Sequence, residues 1–115
     1  MRKRTAKRRV LEENRFSVFT DDLEHCYFCK SSNVVLHEII YGSNRNNSMR
    51  WGYVLPVCRI HHEAFHKNMR YTMEWQIKCQ DHFVDKYSLV DWLEIFHCNY
   101  RQRLKEYLKE KGARE

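Results

Sequence analysis

Two pairs of soft metal ligands, Cys26-x2-Cys29 and Cys58-x2-His61, stand 28 residues apart in a chain of 115 residues. Two intervening residues let both side chains of a pair turn inward from one tight loop, and two such pairs supply the four donors of a tetrahedral zinc site. Any fold must then bring residue 58 back to residue 26, and a chain of this length gains appreciably from such a staple because its core is modest. The five cysteines are odd in number, and "MRKRTAKRRV" has the charges of a secretory leader without an apolar stretch behind them. Both features argue against a disulfide framework and for metal ligation. Cys79 and Cys98 lie alone in helical patterns, where a cysteine serves as a small buried hydrophobe.

Charge is placed unevenly. The net charge is +6, with +5 in residues 1–20, +3 in residues 101–115 and −2 between them. Cations clustered in this way suit a polyanion, so Arg2, Lys3, Arg4, Lys7, Arg8 and Arg9 are expected to contact DNA phosphates, with Arg45 and Arg50 reaching the same strand. No apolar run approaches the roughly 18 residues of a membrane span, so no membrane partner is expected and the chain is placed in the cytoplasm. Hydrophobic residues at 43% are enough for a packed core.

Thr5 to Arg15 reads as a short basic helix, and Phe16, Val18, Phe19 and Leu23 can anchor it to the core. "VVLHEIIY" (34–41) is rich in β-branched residues and predicts a strand. The polar "GSNRNNSMRWG" (42–52) then reads as a loop leading to a second strand, "YVLPV" (53–57), whose Pro56 implies an edge or a strand end. A histidine-bearing helix starts near Arg59. Two scaffold helices follow: one with Met73, Ile77, Val84 and Tyr87 along a side near Trp75, Cys79 and Phe83, the other opened by Ser88 and Asp91 as a capping box. That second stretch carries Leu89, Leu93, Phe96, Tyr100, Leu104 and Leu108 at spacings of three or four.

Once Cys58 and His61 are given to zinc, other histidines need a role. His62 and His66 are four apart, so on a helix they project from one face about a turn apart. His37 and Glu38 lie in the preceding strand, and a strand, strand, helix order can converge three imidazoles and a carboxylate on one further ion. The five letters from His62 to His66 also spell the H-E-x-x-H metallopeptidase signature. In that reading His62 and His66 would bind the zinc and Glu63 would act as base, but the third ligand comes from a larger chain.

"CYFC", "VLHEII" and "LPVCRIHHEAFH" together resemble the HNH nuclease family, the His-Me finger or ββα-metal fold. They are closest in pattern to its small zinc-stabilised bacteriophage and prophage members. The resemblance covers about residues 16–70. It implies an α+β fold with a ββα-metal core at 16–70, a basic arm at 1–15 and a helical extension at 71–115, in a protein of a bacterial host's cytoplasm. It further implies a structural zinc on Cys26, Cys29, Cys58 and His61, and a catalytic divalent cation such as Mg2+ on His37, His62 and His66. Phosphodiester hydrolysis in this family takes a general base from the strand motif, which makes Glu38 the candidate here. The pattern is departed from twice. Glu38 stands where a histidine is usual, and the middle Asn of the motif falls near Tyr53, leaving Asn44, Asn46, Asn47 and Asn68 as substitutes. The expected activity is that of a metal-dependent DNA endonuclease or nickase. The alternative is an HNH-like zinc module, impaired in catalysis, that binds DNA or a host or phage protein.

Overall fold

The computed structural model describes residues 6–112; Arg2, Lys3 and Arg4 of the expected phosphate-binding set lie outside them. The described elements are α1 (Ala6–Glu13), β1 (Val34–Glu38), a 3-10 turn (Gly42–Asn44), α2 (Arg45–Arg50), β2 (Val54–Cys58), α3 (Arg59–Lys67), α4 (Met69–Lys86), α5 (Leu89–Phe96) and α6 (Tyr100–Glu110). The class is α+β, with one two-stranded sheet among the described residues. The chain divides into two compact units, Met1–Ala64 and Phe65–Glu115.

In the first unit β1 and β2 pair antiparallel, with Val34 opposite Cys58 and His37 opposite Leu55. A backbone hydrogen bond of 2.9 Å from Ile39 N–H to the Tyr53 carbonyl extends the ladder past the strand ends. Val54, Leu55 and Val57 of β2 are buried with Ile39, Ile40, Met49 and Tyr53, and this is the apolar centre of the unit. Pro56 donates nothing to the ladder, and its carbonyl instead accepts from Tyr27 N–H at 2.8 Å, which docks the Cys26–Cys29 turn on β2.

The segment expected as a loop at 42–52 contains α2. Its composition of Gly, Ser and Asn favours turns, but Ser48 is buried and its hydroxyl serves two backbone groups. It accepts from Ile40 N–H at 3.1 Å and donates to the Tyr53 carbonyl at 2.7 Å, pinning the turn between the strands. β1 accordingly stops at Glu38 instead of running to Tyr41.

Gly52 closes this connection at φ +76, a left-handed conformation, and the Phe16 ring lies over it, 2.5 Å from where a Cβ would stand. Val18 N–H donates to the Gly52 carbonyl at 2.9 Å, so the chain after α1 is laid across the start of β2.

In the second unit α4 is capped by Asn68, whose side chain accepts from Tyr71 N–H. Ser88 caps α5 as expected, accepting from Asp91 N–H at 3.1 Å. The periodic stretch from Leu89 to Leu108 is not one helix. His97 takes a left-handed conformation at φ 60 and ends α5, and the Asn99 side chain then opens α6 by accepting from Arg101 and Gln102 N–H. Gln80 bridges the break from α4, donating to Asn99 Oδ1 at 3.0 Å and accepting from Tyr100 N–H at 2.7 Å.

The centre of the second unit is Trp92. It is fully buried, stacks on Phe96 at 3.9 Å between ring centroids, meets Phe83 edge-on at 5.6 Å, and donates its indole N–H to the Cys98 carbonyl at 2.8 Å. Tyr87, Leu89 and Leu93, expected on the apolar side, are exposed at 57%, 39% and 37%. The stripe that α4 buries holds Met73, Trp75, Cys79 and Phe83 as expected, together with the polar Thr72, Gln76 and Gln80.

Replacing Gly52 with alanine combines left-handed strain with displacement of the Phe16 ring. Gly52→Ala should lower stability by about 1–3 kcal/mol in a denaturant titration. Adding Phe16→Ala should cost less than the sum of the two single changes, because the ring that must move is then gone. Strict additivity would show that Phe16 does not cover Gly52.

Candidate metal centre

The turn at 26–31 is closed by backbone hydrogen bonds from Cys26 N–H to the Ser31 carbonyl at 2.8 Å and from Lys30 N–H to the Cys26 carbonyl at 2.9 Å. Lys30 takes the left-handed conformation, φ 66, that so tight a turn needs. The second ligand pair is built differently. Cys58 is the last residue of β2, and His61 lies in the first turn of α3, so the change from strand to helix sets the spacing of the two side chains.

The two pairs converge. Single ligand atoms from Cys26, Cys29, Cys58 and His61 all lie within 4.8 Å of one another. Cys29 Sγ is 3.6 Å from Cys58 Sγ, and His61 Nδ1 is 3.1 Å from Cys58 Sγ and 3.5 Å from Cys26 Sγ. With zinc–sulfur bonds of about 2.3 Å and zinc–nitrogen bonds of about 2.0–2.1 Å, a regular tetrahedron has sulfur–sulfur edges of about 3.8 Å and sulfur–nitrogen edges of about 3.6 Å. The Cys29–Cys58 and Cys26–His61 edges sit close to these values and the Cys58–His61 edge is about 0.5 Å shorter, so the cluster is compatible with a zinc ion in size as well as in donor type.

The electrostatics favour the same guest. Burial pushes the Cys26 thiol up, but the backbone N–H groups of Cys58, Cys29 and Phe28 outweigh it and hold the thiol at about 6. The His61 N–H lowers Cys58. Cys29 is raised: the Ser31 N–H pulls it down, and burial together with the Cys26 and Cys58 thiols overcomes that pull. His61 is raised, first through its hydrogen bond to Cys58. Four donors that compete for protons in this way form the site a cation resolves. The Phe28 ring lies against the His61 ring, 5.1 Å between centroids, and helps fix its orientation.

The remaining expected site residues are placed unequally. His37 is buried on β1 with its ring 5.2 Å from that of His62 on α3, the planes crossing at 69°. His66 is exposed near the end of α3, past the division between the units. Among the described residues the zinc cluster is the one group of three or more potential ligands that comes together within 4.8 Å, so no three of His37, Glu38, His62 and His66 do so. Glu63 forms a helical ion pair with Arg59 at 3.5 Å.

Glu38 is engaged by two cations: Arg15 donates to its Oε1 at 3.0 Å, and Arg45 Nη2 lies 3.1 Å from the same oxygen. Arg45 also pairs with Glu12 at 3.6 Å, and Arg8 donates to the Asn46 side chain at 3.1 Å. Lys7, Arg9 and Arg50 are exposed. Nothing in the sequence singles out Glu12 and Arg15, because only the fold brings them to Glu38 and Arg45. Of the four candidate asparagines, Asn46 receives Arg8, Asn47 accepts from Arg50 at 3.3 Å and Asn68 caps α4. Asn44 stands at the junction of the 3-10 turn and α2.

Comparison with family models, with curated proteins and with solved structures returns no match to this chain. No helix among the described residues is long and apolar enough to cross a membrane.

The clamp leads to a measurement on the purified protein. Elemental analysis without added metal should find one zinc per chain, Cys29→Ser should lose it together with cooperative unfolding, and Cys79→Ser should keep it. Zinc-free protein with an unchanged melt would contradict the assignment.

Proposed function

We propose that the chain is a zinc-stapled ββα module of HNH type that cleaves or nicks DNA with the help of a divalent cation. The observation that carries this reading is the approach of His37 on β1 to His62 on α3, in a strand, strand, helix order whose β2–α3 junction carries the second ligand pair. In this reading the zinc is structural. It holds the turn at 26–29 to the β2–α3 junction and takes no direct part in the reaction.

His37 and His62 would hold the second cation, and its remaining ligands would come from water and substrate phosphate. When bound it stabilises charge on the phosphate and the leaving oxygen. The protein's own part is to present two imidazoles from rigid elements at a fixed separation and to keep the strand-borne one dry. Exposed Lys7, Arg9 and Arg50, with Arg2, Lys3 and Arg4 beyond the described residues, supply sequence-independent hold on the phosphate backbone.

A second reading, an HNH-like module that binds DNA or a host or phage protein without cutting, draws support from one observation. Glu38, the expected base, is held by Arg15 and Arg45.

A plasmid-nicking assay with Mg2+, Mn2+ and Ni2+ separates the two. The nuclease reading expects nicking by the wild type that His62→Ala abolishes while zinc content and melt are unchanged. No cleavage with any of the three ions would favour the binding module, and cleavage that survives His62→Ala would place the active site elsewhere. Deleting residues 1–9 removes six cations. If these cations neutralise phosphates, the log–log dependence of DNA affinity on salt should flatten by about 0.9 for each phosphate that is no longer neutralised. An unchanged slope would make the arm a solubility tail.

A further inference from the structure

If the basic arm served DNA binding as a loosely tethered run of cations, α1 would need no built attachment, yet it is an amphipathic element with a polar seam. Arg8, Leu11 and Glu12 recur at i, i+3 and i+4 of α1 and are half-buried, as is Arg15 just past its end, whereas Lys7, Arg9 and Val10 are exposed. The half-buried side carries the attachment. Glu12 pairs with Arg45 at 3.6 Å, Arg45 with Glu38 at 3.1 Å, and Glu38 with Arg15 at 3.0 Å, which makes one alternating chain of charges from α1 through α2 to β1 and back. The side chains concerned are only 12–30% exposed, so the pairs are less screened than ordinary surface bridges. Arg15 closes the loop by donating its Nε–H to the Glu12 carbonyl at 3.1 Å, a cap on the last turn of α1, and Arg8 adds its bond to Asn46.

We propose that Glu12, Arg15, Glu38 and Arg45 form a latch that docks α1 on α2 and β1, turning the basic arm into a pre-organised part of the nucleic-acid surface. Glu38 then serves as a positioning residue, not a base. The proposal rests on the nucleic-acid reading, which it deepens: the partner remains the phosphate backbone of DNA, and the latch decides how α1 meets it. Holding Lys7 and Arg9 in place before DNA arrives removes the ordering cost that a free arm would incur on binding. Because the latch commits its own carboxylates to two arginines, it lowers the protein's net charge while raising its affinity for a polyanion. That opposition gives a test by sign.

Glu12→Gln with Glu38→Gln raises the formal net charge by two, from +6. If the arm acts as diffuse charge, the double variant must bind a labelled DNA duplex of mixed sequence more tightly than the wild type. If the latch pre-organises α1, the double variant binds roughly tenfold more weakly at fixed salt. Limited trypsin digestion without DNA gives the second readout: the wild type should resist cleavage between Arg9 and Val10, and the double variant should be cut there much faster. Elemental analysis of both proteins confirms that the clamp is retained. Should the double variant lose zinc, Glu12→Gln alone, which removes the bridge to Arg45, carries the same comparison. Tighter binding by the variant, or equal tryptic cleavage of the two proteins, would overturn the latch alone. A wild type that binds no duplex would overturn the nucleic-acid reading and the latch proposal with it.

Discussion

Five-residue strands in a two-stranded sheet bury too little to stand alone in water, and the first unit would have little reason to hold its hairpin without a further constraint. The meeting of Cys26, Cys29, Cys58 and His61 supplies it. The clamp fixes the end of β2, the first turn of α3 and the turn at 26–31 to one point, and β1 is aligned against β2 from that end, with Val34 opposite Cys58. The position of His37 relative to His62 follows from this register, since one residue of slip would turn His37 to the other face of the strand. Closure of the four-ligand cluster and formation of the His37–His62 approach are thus linked in physical terms.

The ion pairs act at a second level. The clamp organises the strands and α3, and the chain from Glu12 to Arg45, Glu38 and Arg15 attaches α1 to them. Buried or half-buried charges stabilise little by themselves, because desolvation offsets much of the attraction, but leaving one without its partner is costly. Such a network is better at selecting one docking geometry for α1 than at adding stability. The second unit rests mainly on packing, with one ion pair, Arg101 to Asp81, joining α6 to α4. Trp92, Phe83, Phe96 and Tyr100 form an aromatic centre, and Gln80 and Asn99 satisfy the backbone where α5 gives way to α6.

The cluster of Cys26, Cys29, Cys58 and His61 was legible in the sequence because a metal site needs close pairs, and a close pair is a local pattern. So were the strand–strand–helix order and the cap at Ser88. The break between α5 and α6 was masked by periodicity: Phe96, Tyr100, Leu104 and Leu108 continue a helical spacing straight through His97, and the signal that should have counted was Asn99, a strong N-cap residue. α2 was hidden by its composition, since nothing local announces that Ser48 will tie the turn to Ile40 and Tyr53. The ion-pair network was invisible for a different reason. Glu12, Arg15, Glu38 and Arg45 lie in three separate segments, and ordinary solvated charges look the same in a sequence as partners brought together by a hairpin. The placement of Tyr87, Leu89 and Leu93 at the surface shows the converse, that apolar spacing locates a helix without saying which of its positions are covered.

The central claim is that three sulfurs and one nitrogen hold a single zinc at the β2–α3 junction. X-ray absorption at the zinc edge on the purified protein measures that directly. The expected first shell is three sulfurs at about 2.3 Å and one imidazole nitrogen at about 2.0–2.1 Å, with no oxygen ligand. A shell dominated by nitrogen and oxygen would contradict it, placing the metal instead on the histidines of α3 and β1 and leaving the cysteine cluster without its structural role.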